Sequence, residues 1–266
     1  MARAMIQGLL RCGVGANQLR VGEPQAAQRE LLQRDFGVAA LADNEAAMRG
    51  AALVVLAVKP QQASGLLAAL CPALGQARAT LLSIVAGLRV ADLAACCPAL
   101  PIVRAMPNRA ALVGAGATAL YAPADVAAAG RALAEQVCAA AGCAVWVQRE
   151  SDLDIVTALS GSGPAYFFQL AEHLAAAAVA QGLDAATAAL LAKQTLRGAG
   201  ALAGGAGTLA AEREAVTSKG GTTAAALAAL QAGGFDRLIA TALEAARHRS
   251  AELAAQFGHA DAARGR

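Results

Sequence analysis

The chain is poor in aromatic rings and in charge: 3% of its residues are Phe, Trp or Tyr and 15% are charged. Its net charge of +3 comes from scattered basic residues, which argues against a nucleic-acid partner. Long hydrophobic runs are missing too. The most apolar stretch, PAYFFQLAEHLAAAAVA (164–180), is broken by Gln169, Glu172 and His173, so a buried helix is expected there rather than a membrane span. Only three histidines occur, His173, His248 and His259, and they are far apart. The six cysteines form no CxxC pair and none is near a histidine, so no metal centre is expected. They read as small buried hydrophobes of a reducing compartment. The N-terminus carries a few Arg and Ala but no long apolar run and no cleavage site, so no targeting peptide is expected and the location reads as cytoplasmic. No Ser–His–Asp set, Cys–His set or carboxylate pair stands out, which disfavours nucleophilic chemistry.

What the chain does have is core material: 57% of its residues are hydrophobic, and more than a quarter are alanine, far above ordinary usage. Two halves are written in different patterns. From residue 18 to about 148, short apolar runs alternate with helical stretches. LRV (19–21), VAAL (38–41), AALVVLAV (51–58), TLLSIVA (80–86), PIVRAM (101–106) and CAVWV (143–147) read as strands. Continuous Val/Ile/Leu runs suit strands covered on both faces. Such alternation predicts an α/β fold with a doubly wound, Rossmann-like, mostly parallel sheet over residues 1–150. After Ser151 no strand pattern returns. Helices are predicted over 152–159, 164–181, 185–202, 208–215, 223–231 and 234–256, giving an all-helical domain over 151–266. The 164–181 helix is apolar nearly all round, and a small helical half cannot cover it alone. A homodimer or higher homo-oligomer through this half is expected.

The first residues, MARAMIQGLL, have the character of a helix stopped by Gly13. A dinucleotide-binding sheet begins instead with a strand and a glycine-rich turn that precede such a helix. The sheet is therefore expected to lack its first strand, and Met1 reads as an internal residue of the full fold. The glycine clusters at 13–15, 114–116 and 198–205 do not stand between a strand and a helix, so none reads as a phosphate loop.

Several short stretches carry two readings each. VTSKGGTT (216–223) leads into a strong helix former. It reads either as a Ser/Thr-capped helix start or as a turn offering backbone N–H groups to a carboxylate at a positive helix end. Lys59-Pro60 closes a buried strand, as a plain strand-to-helix turn or as a ligand position at the strand's carboxyl end. Asn44 is a helix cap or a ligand contact. GSGP (161–164) is a kink for close helix crossing, with Pro164 opening a helix, or part of a pocket. Glu23 ends the second strand of such a fold, here LRV, where an acid accepts a ribose 2′-hydroxyl and repels a 2′-phosphate.

Taken in order, VLAVKPQ (56–62), RAMPN (104–108), TALSGSGPAYFF (157–168) and VTSKGGTTAAAL (216–227), with AAxxRS (245–250), resemble the pyrroline-5-carboxylate reductase family. The resemblance covers nearly the whole chain. It implies a nucleotide-binding domain, a helical dimerisation domain, and hydride transfer from NADPH or NADH to the cyclic imine of pyrroline-5-carboxylate, giving proline. It further implies that Ser218, Gly220, Gly221 and Thr222 hold the substrate carboxylate, and that Thr223 sits near the ring nitrogen in a catalytic role. Met1 and Ala2 match the last two residues of the family's glycine-rich turn. Ala57, Val58, Lys59 and Pro60 would line the nicotinamide ribose, Ala86, Gly87, Pro107 and Asn108 would approach the nicotinamide, and Asn44 would lie beside the adenine, with Glu23 at the adenine-side ribose. Two departures stand out: Arg109-Ala110 where the family has Thr-Pro, and Lys219 where it often has Pro. A related hydroxyacid dehydrogenase would need a lysine on the 164–181 helix, which has none. A catalytically impaired homologue that only dimerises or binds is the alternative from another class.

Overall fold

The computed structural model describes the backbone of residues 1–264 and the side chains of residues 1–256. His259, one of the histidines weighed above, lies outside the described side chains. The chain divides into two compact units, one of residues 1–161 together with the chain from Ala246 onward, the other Ser162–Ala245.

The first unit opens with α1 (Ala2–Arg11), and Gly13, at φ 87°, turns the chain after it. There follow β1 (Arg20–Gly22), α2 (Ala26–Phe36), β2 (Ala39–Leu41), α3 (Asn44–Met48), β3 (Leu53–Leu56) and α4 (Pro60–Ala77). Next come β4 (Thr80–Ser83), α5 (Val90–Cys96), β5 (Ile102–Met106), β6 (Gly116–Tyr121), α6 (Ala128–Ala139), β7 (Gly142–Trp146) and α7 (Asp152–Val156). A π-helical turn, Thr157–Gly161, closes this stretch. The five strands β3–β7 form one sheet in sequence order, parallel throughout except where β6 runs antiparallel to β5. β1 and β2 form a separate parallel pair.

Alternate residues of β4 and β5 point to opposite faces, and both faces are covered. Leu82 and Val103 join Met5 and Leu9 of α1 and Val137 of α6 on one side. Leu81 and Ile102 join Leu67 and Leu74 of α4 and Leu93 of α5 on the other. Each fully buried leucine of this kind contributes about 1.5–3 kcal/mol relative to exposure. This is the double cover that the uninterrupted apolar strands predicted.

The sheet is split between β1 and β3. α1 packs on both parts: Met5 and Leu9 belong to the core beneath β4 and β5, and Ile6 to a cluster with Leu32, Val38 and Ala40 at the β1–β2 pair. β3 is an edge strand although its residues are all apolar, and Leu53, Val54 and Val55 are only half-buried, whereas all of β4 is buried. β3 thus presents an apolar edge that no other strand among the described residues pairs.

The second unit contains α8 (Gly163–Ala180), α9 (Ala185–Leu202), α10 (Leu209–Ala215), α11 (Thr222–Ala232) and the first part of α12 (Phe235–Arg264). α8 and α9 pack together as a hairpin. No helix is long and apolar enough to cross a membrane among the described residues.

Four local differences from the sequence reading have physical causes. β6 was not predicted, because GATALY is rich in Ala and Gly and gains its strand state only by pairing with β5 and β7. α5 was missed beside the Cys96-Cys97 pair. The predicted 152–159 helix changes to a π turn at Thr157. The cysteines are not all separate: Cys71 of α4 and Cys97 after α5 form a disulfide, with Cα atoms 5.2 Å apart across 26 positions of sequence. That pairing follows from α4 and α5 packing together, which the spacing of cysteines along the chain does not reveal.

Candidate active site

The cofactor positions predicted after strands all lie just beyond the carboxyl end of a strand, where open sheets bind ligands. Glu23 follows β1. Its carboxylate accepts the Gln25 N–H at 2.9 Å, and the Arg29 guanidinium donates to the carbonyls of Glu23 and Pro24 at 2.9 and 2.7 Å. Asn44 follows β2 as the first residue of α3 and is not the cap. The cap is Asp43, whose carboxylate accepts the Glu45 N–H at 2.9 Å. Asn44 instead lies against Gly22 of β1, where an added Cβ would stand 2.1 Å from its Oδ1.

Ala57 to Pro60 follow β3. Lys59 caps α4 without a side-chain bond, and Pro60 is the first helical residue. Ala86 and Gly87 follow β4, with Ala86 exposed and Gly87 in the left-handed region at φ 81°. Pro107 and Asn108 follow β5 and are both buried. Because β3, β4 and β5 are neighbours running the same way, these three segments emerge side by side. Met1 and Ala2 stand at the amino end of α1, which has no side-chain cap and so offers its first N–H groups.

Sequence reasoning missed the groups that hold these segments. Arg104 lies within β5 and is 7% exposed. It donates to Glu150 at 3.0 Å, and the same Glu150 oxygen accepts the Val90 N–H, the first of α5, at 2.7 Å. One carboxylate thus ties β5, the end of the loop after β4, and the approach to α7. The signal was present in the sequence as a lone charge inside the apolar run PIVRAM, because a buried guanidinium requires a partner.

RAMPN and SGSGP also prove to be one physical unit. Asn108 accepts the Ala117 N–H at 3.1 Å and donates to the Ser160 carbonyl at 3.0 Å. A Cβ on Gly161 would lie 3.0 Å from the Met106 methyl. Farther along the chain, Ser250 of the AAxxRS motif donates to Asp154 at 2.7 Å.

The predicted substrate turn lies in the second unit. Gly221 N–H donates to the Ser218 carbonyl at 3.0 Å, closing a turn with Gly220 at φ 72°. The cap of α11 is Gly221 itself, and no side chain caps this helix. The Ser/Thr-capped reading of this stretch is therefore not what forms. Two other helices of this unit differ: Asp184 caps α9 through the Thr187 N–H at 2.9 Å, and Thr208 caps α10 through the Ala211 N–H at 3.2 Å, whereas α8, like α11, has no side-chain cap. The Asp184 carboxyl is held below the usual carboxylate range by the Thr187 N–H and hydroxyl. At α11 the first N–H groups have no side-chain cap, and a helix start of this kind can receive an anion. A side chain at position 221 would displace Ser218, whose Oγ stands 2.4 Å from the added Cβ. Elsewhere, burial pushes the Cys138 thiol up to about 12, so it stays protonated and is no nucleophile.

Residues 150–253 match the family described as "Pyrroline-5-carboxylate reductase dimerisation", and residues 1–87 match "NADP oxidoreductase coenzyme F420-dependent". The pyrroline-5-carboxylate reductase of Pseudomonas aeruginosa is 44% identical over 260 residues, which cover 97% of this chain and 95% of that one. The chain belongs to the pyrroline-5-carboxylate reductase family. The reductase of Mycobacterium tuberculosis is 39% identical, covering 95% of this chain and 93% of its own.

Among solved structures, the Coxiella burnetii pyrroline-5-carboxylate reductase superposes with a TM-score of 0.91 at 36% identity, covering 95% of this chain and 94% of that one. The Plasmodium falciparum pyrroline carboxylate reductase, whose structure has NADP bound, gives 0.77 at 27% identity, again covering 95% and 94%. As a member of this family the chain is an oxidoreductase of the NAD(P)-dependent kind. Its residues fit such a cofactor: small side chains or none at Ala57, Ala86 and Gly87, an uncapped α1, and an acid at the end of β1.

Proposed function

We propose that this chain reduces 1-pyrroline-5-carboxylate to L-proline with NADPH or NADH, the last step of proline synthesis. The observation that carries the reading is the uncapped, glycine-led start of α11 within VTSKGGTT, beside two neighbouring helices that are capped in the ordinary way. Ser218, Gly220, Gly221 and Thr222 hold the substrate carboxylate. The hydroxyl of Thr223 orients the ring nitrogen or relays a proton to it. Ala57–Pro60, Ala86-Gly87 and the backbone of the Pro107-Asn108 turn seat the nicotinamide end of the cofactor, Asn44 and Glu23 its adenosine end, and Met1-Ala2 its pyrophosphate. When bound, the cofactor supplies the hydride. The protein's share is alignment and a proton source, which is why no strong nucleophile is needed.

In this reading residues 1–150 are the dinucleotide-binding domain and 151–266 the substrate-binding and dimerisation domain. The working form is a cytoplasmic homodimer or higher homo-oligomer. The test is NADPH oxidation in the presence of pyrroline-5-carboxylate, with proline measured in the same sample. Proline equal to the NADPH consumed supports the reading. No proline from a folded sample at saturating cofactor and substrate contradicts it.

A dimerising homologue with impaired catalysis is favoured by one observation, the split of the sheet between β1 and β3. That position is where a dinucleotide fold carries its first strand and phosphate turn. The two readings separate in a titration of NADPH and NADH against this chain and against a version carrying a strand and glycine turn before Met1. Tight binding by both versions favours the enzyme reading of this chain, and rescue by the added segment favours the impaired one.

A further inference from the structure

Asn108 is 8% exposed, and both ends of its amide are engaged by backbone. Its Oδ1 accepts the N–H of Ala117 in β6, and its Nδ2 donates to the carbonyl of Ser160 in the π turn. The Ser160 carbonyl has a specific need for this donor. An α-helix would satisfy it with the N–H four residues on, and that residue is Pro164, which has none. The π turn is itself unusual and is braced by hydroxyls: Thr157 donates to the Leu153 carbonyl at 2.7 Å and Ser160 to the Val156 carbonyl at 3.0 Å. Single π turns inside helices mark functional positions more often than chance. Gly161 adds a steric fit, since any side chain there meets the Met106 methyl.

We propose that Asn108 is a positioning residue for hydride transfer, fixing the turn after β5 and the π turn 157–161 in one backbone arrangement. This deepens the reductase reading above and rests on it. The amide faces two backbone groups, so it acts through the turn that carries it and not by touching the reacting atoms. Hydride transfer depends steeply on alignment, so freeing this turn slows the chemical step more than it weakens binding. Three segments are joined by a single side chain whose loss frees all of them: the turn after β5, the start of β6 and the π turn.

The decisive variant is Asn108→Asp. It keeps an acceptor for the Ala117 N–H and replaces the donor to Ser160 with a second acceptor. The expected result is a loss of kcat of about tenfold or more. KM for NADPH and for pyrroline-5-carboxylate should stay within a small factor of wild type. The deuterium isotope effect with 4-deuterated NADPH should rise, because hydride transfer becomes rate-limiting. Without any cofactor, amide hydrogen exchange should quicken together in 107–111 and 157–161.

A merely structural role predicts something else: a lower melting temperature and less folded enzyme, with kcat per bound NADPH and the isotope effect unchanged. A second variant separates the two even if Asn108→Asp alone folds poorly. In Asn108→Asp/Pro164→Ala the N–H restored at position 164 can satisfy the Ser160 carbonyl. Thermal stability should then recover while kcat stays low. Recovery of kcat along with stability overturns the positioning role, as does an Asn108→Asp enzyme with wild-type kcat and isotope effect. A wild-type chain that makes no proline overturns the reductase reading itself, which is a different result from an active wild type indifferent to Asn108.

Discussion

The two units solve the problem of burial in opposite ways. Around the sheet, Leu67, Leu74 and Leu81 are each 1% exposed and Leu82 and Leu120 are fully buried. In the helices from Ser162 to Ala245, Phe167 is 61% exposed, Leu174 58%, Leu190 67% and Leu238 67%. Large apolar side chains exposed in this number are more than scattered single exposures and suit an interaction surface. The α/β unit makes its own core, whereas the helical unit leaves large apolar side chains exposed. That division accords with the match of 150–253 to the dimerisation family. The turn at 218–223 belongs to this less self-covered unit.

The largest expected effect breaks the helical side of this contrast. Leu170→Asp/Leu174→Asp places two charges on an exposed apolar stretch of α8. Each buried leucine is worth about 1.5–3 kcal/mol, and a dimer contains both substitutions twice. The dimer dissociation constant should rise by about three decades or more. Sedimentation over a range of concentrations measures it, and an unchanged dimer would move the interface elsewhere.

Next in size is the Cys71–Cys97 bond, which concerns the α/β unit alone. Reduction, or Cys71→Ser, should cost about 2–4 kcal/mol by freeing the unfolded chain. The loss should appear as a lower melting temperature with no change in dimer dissociation. Equal melting of oxidised and reduced samples would show that the bond adds nothing.

Thr223→Ala should lower kcat by about tenfold or more, since a lost hydrogen bond to a charged group costs about 1.5–3 kcal/mol. Thr223→Ser should keep most of it. Equal kinetics for wild type and Thr223→Ala would remove Thr223 from the reaction.

The smallest effect concerns Glu23. Glu23→Gln should raise kcat/KM for NADPH relative to NADH several-fold, because it removes an acid from the end of β1 while Arg29 stays in place. Identical cofactor ratios would place the choice at other residues.

The contrast between the units also explains what the sequence made legible. The strands β3, β4 and β5 were readable because they are apolar on both faces, and a covered sheet imposes that pattern. The helices of the second unit were readable because Gly182, Gly204-Gly205 and Gly233-Gly234 separate them. β6 was hidden because its state depends on neighbours rather than on its own alanines. Of the site, the α11 turn was visible as an excess of Gly, Ser and Thr, although the absence of a side-chain cap was not. The Asn108–Ser160 and Arg104–Glu150 ties were invisible, because they join residues 52 and 46 positions apart. Only Arg104, charged within an apolar run, announced that a partner had to exist.

The account's central claim is tested most directly by following the hydride. Doubly deuterated NADPH, labelled at both hydrogens of nicotinamide carbon 4, is incubated with the chain and unlabelled pyrroline-5-carboxylate, and the proline is analysed by mass spectrometry and NMR. The account expects one deuterium per proline, on the ring carbon that was the imine carbon. Proline without deuterium, or no proline from a dimeric sample that binds NADPH, would contradict it.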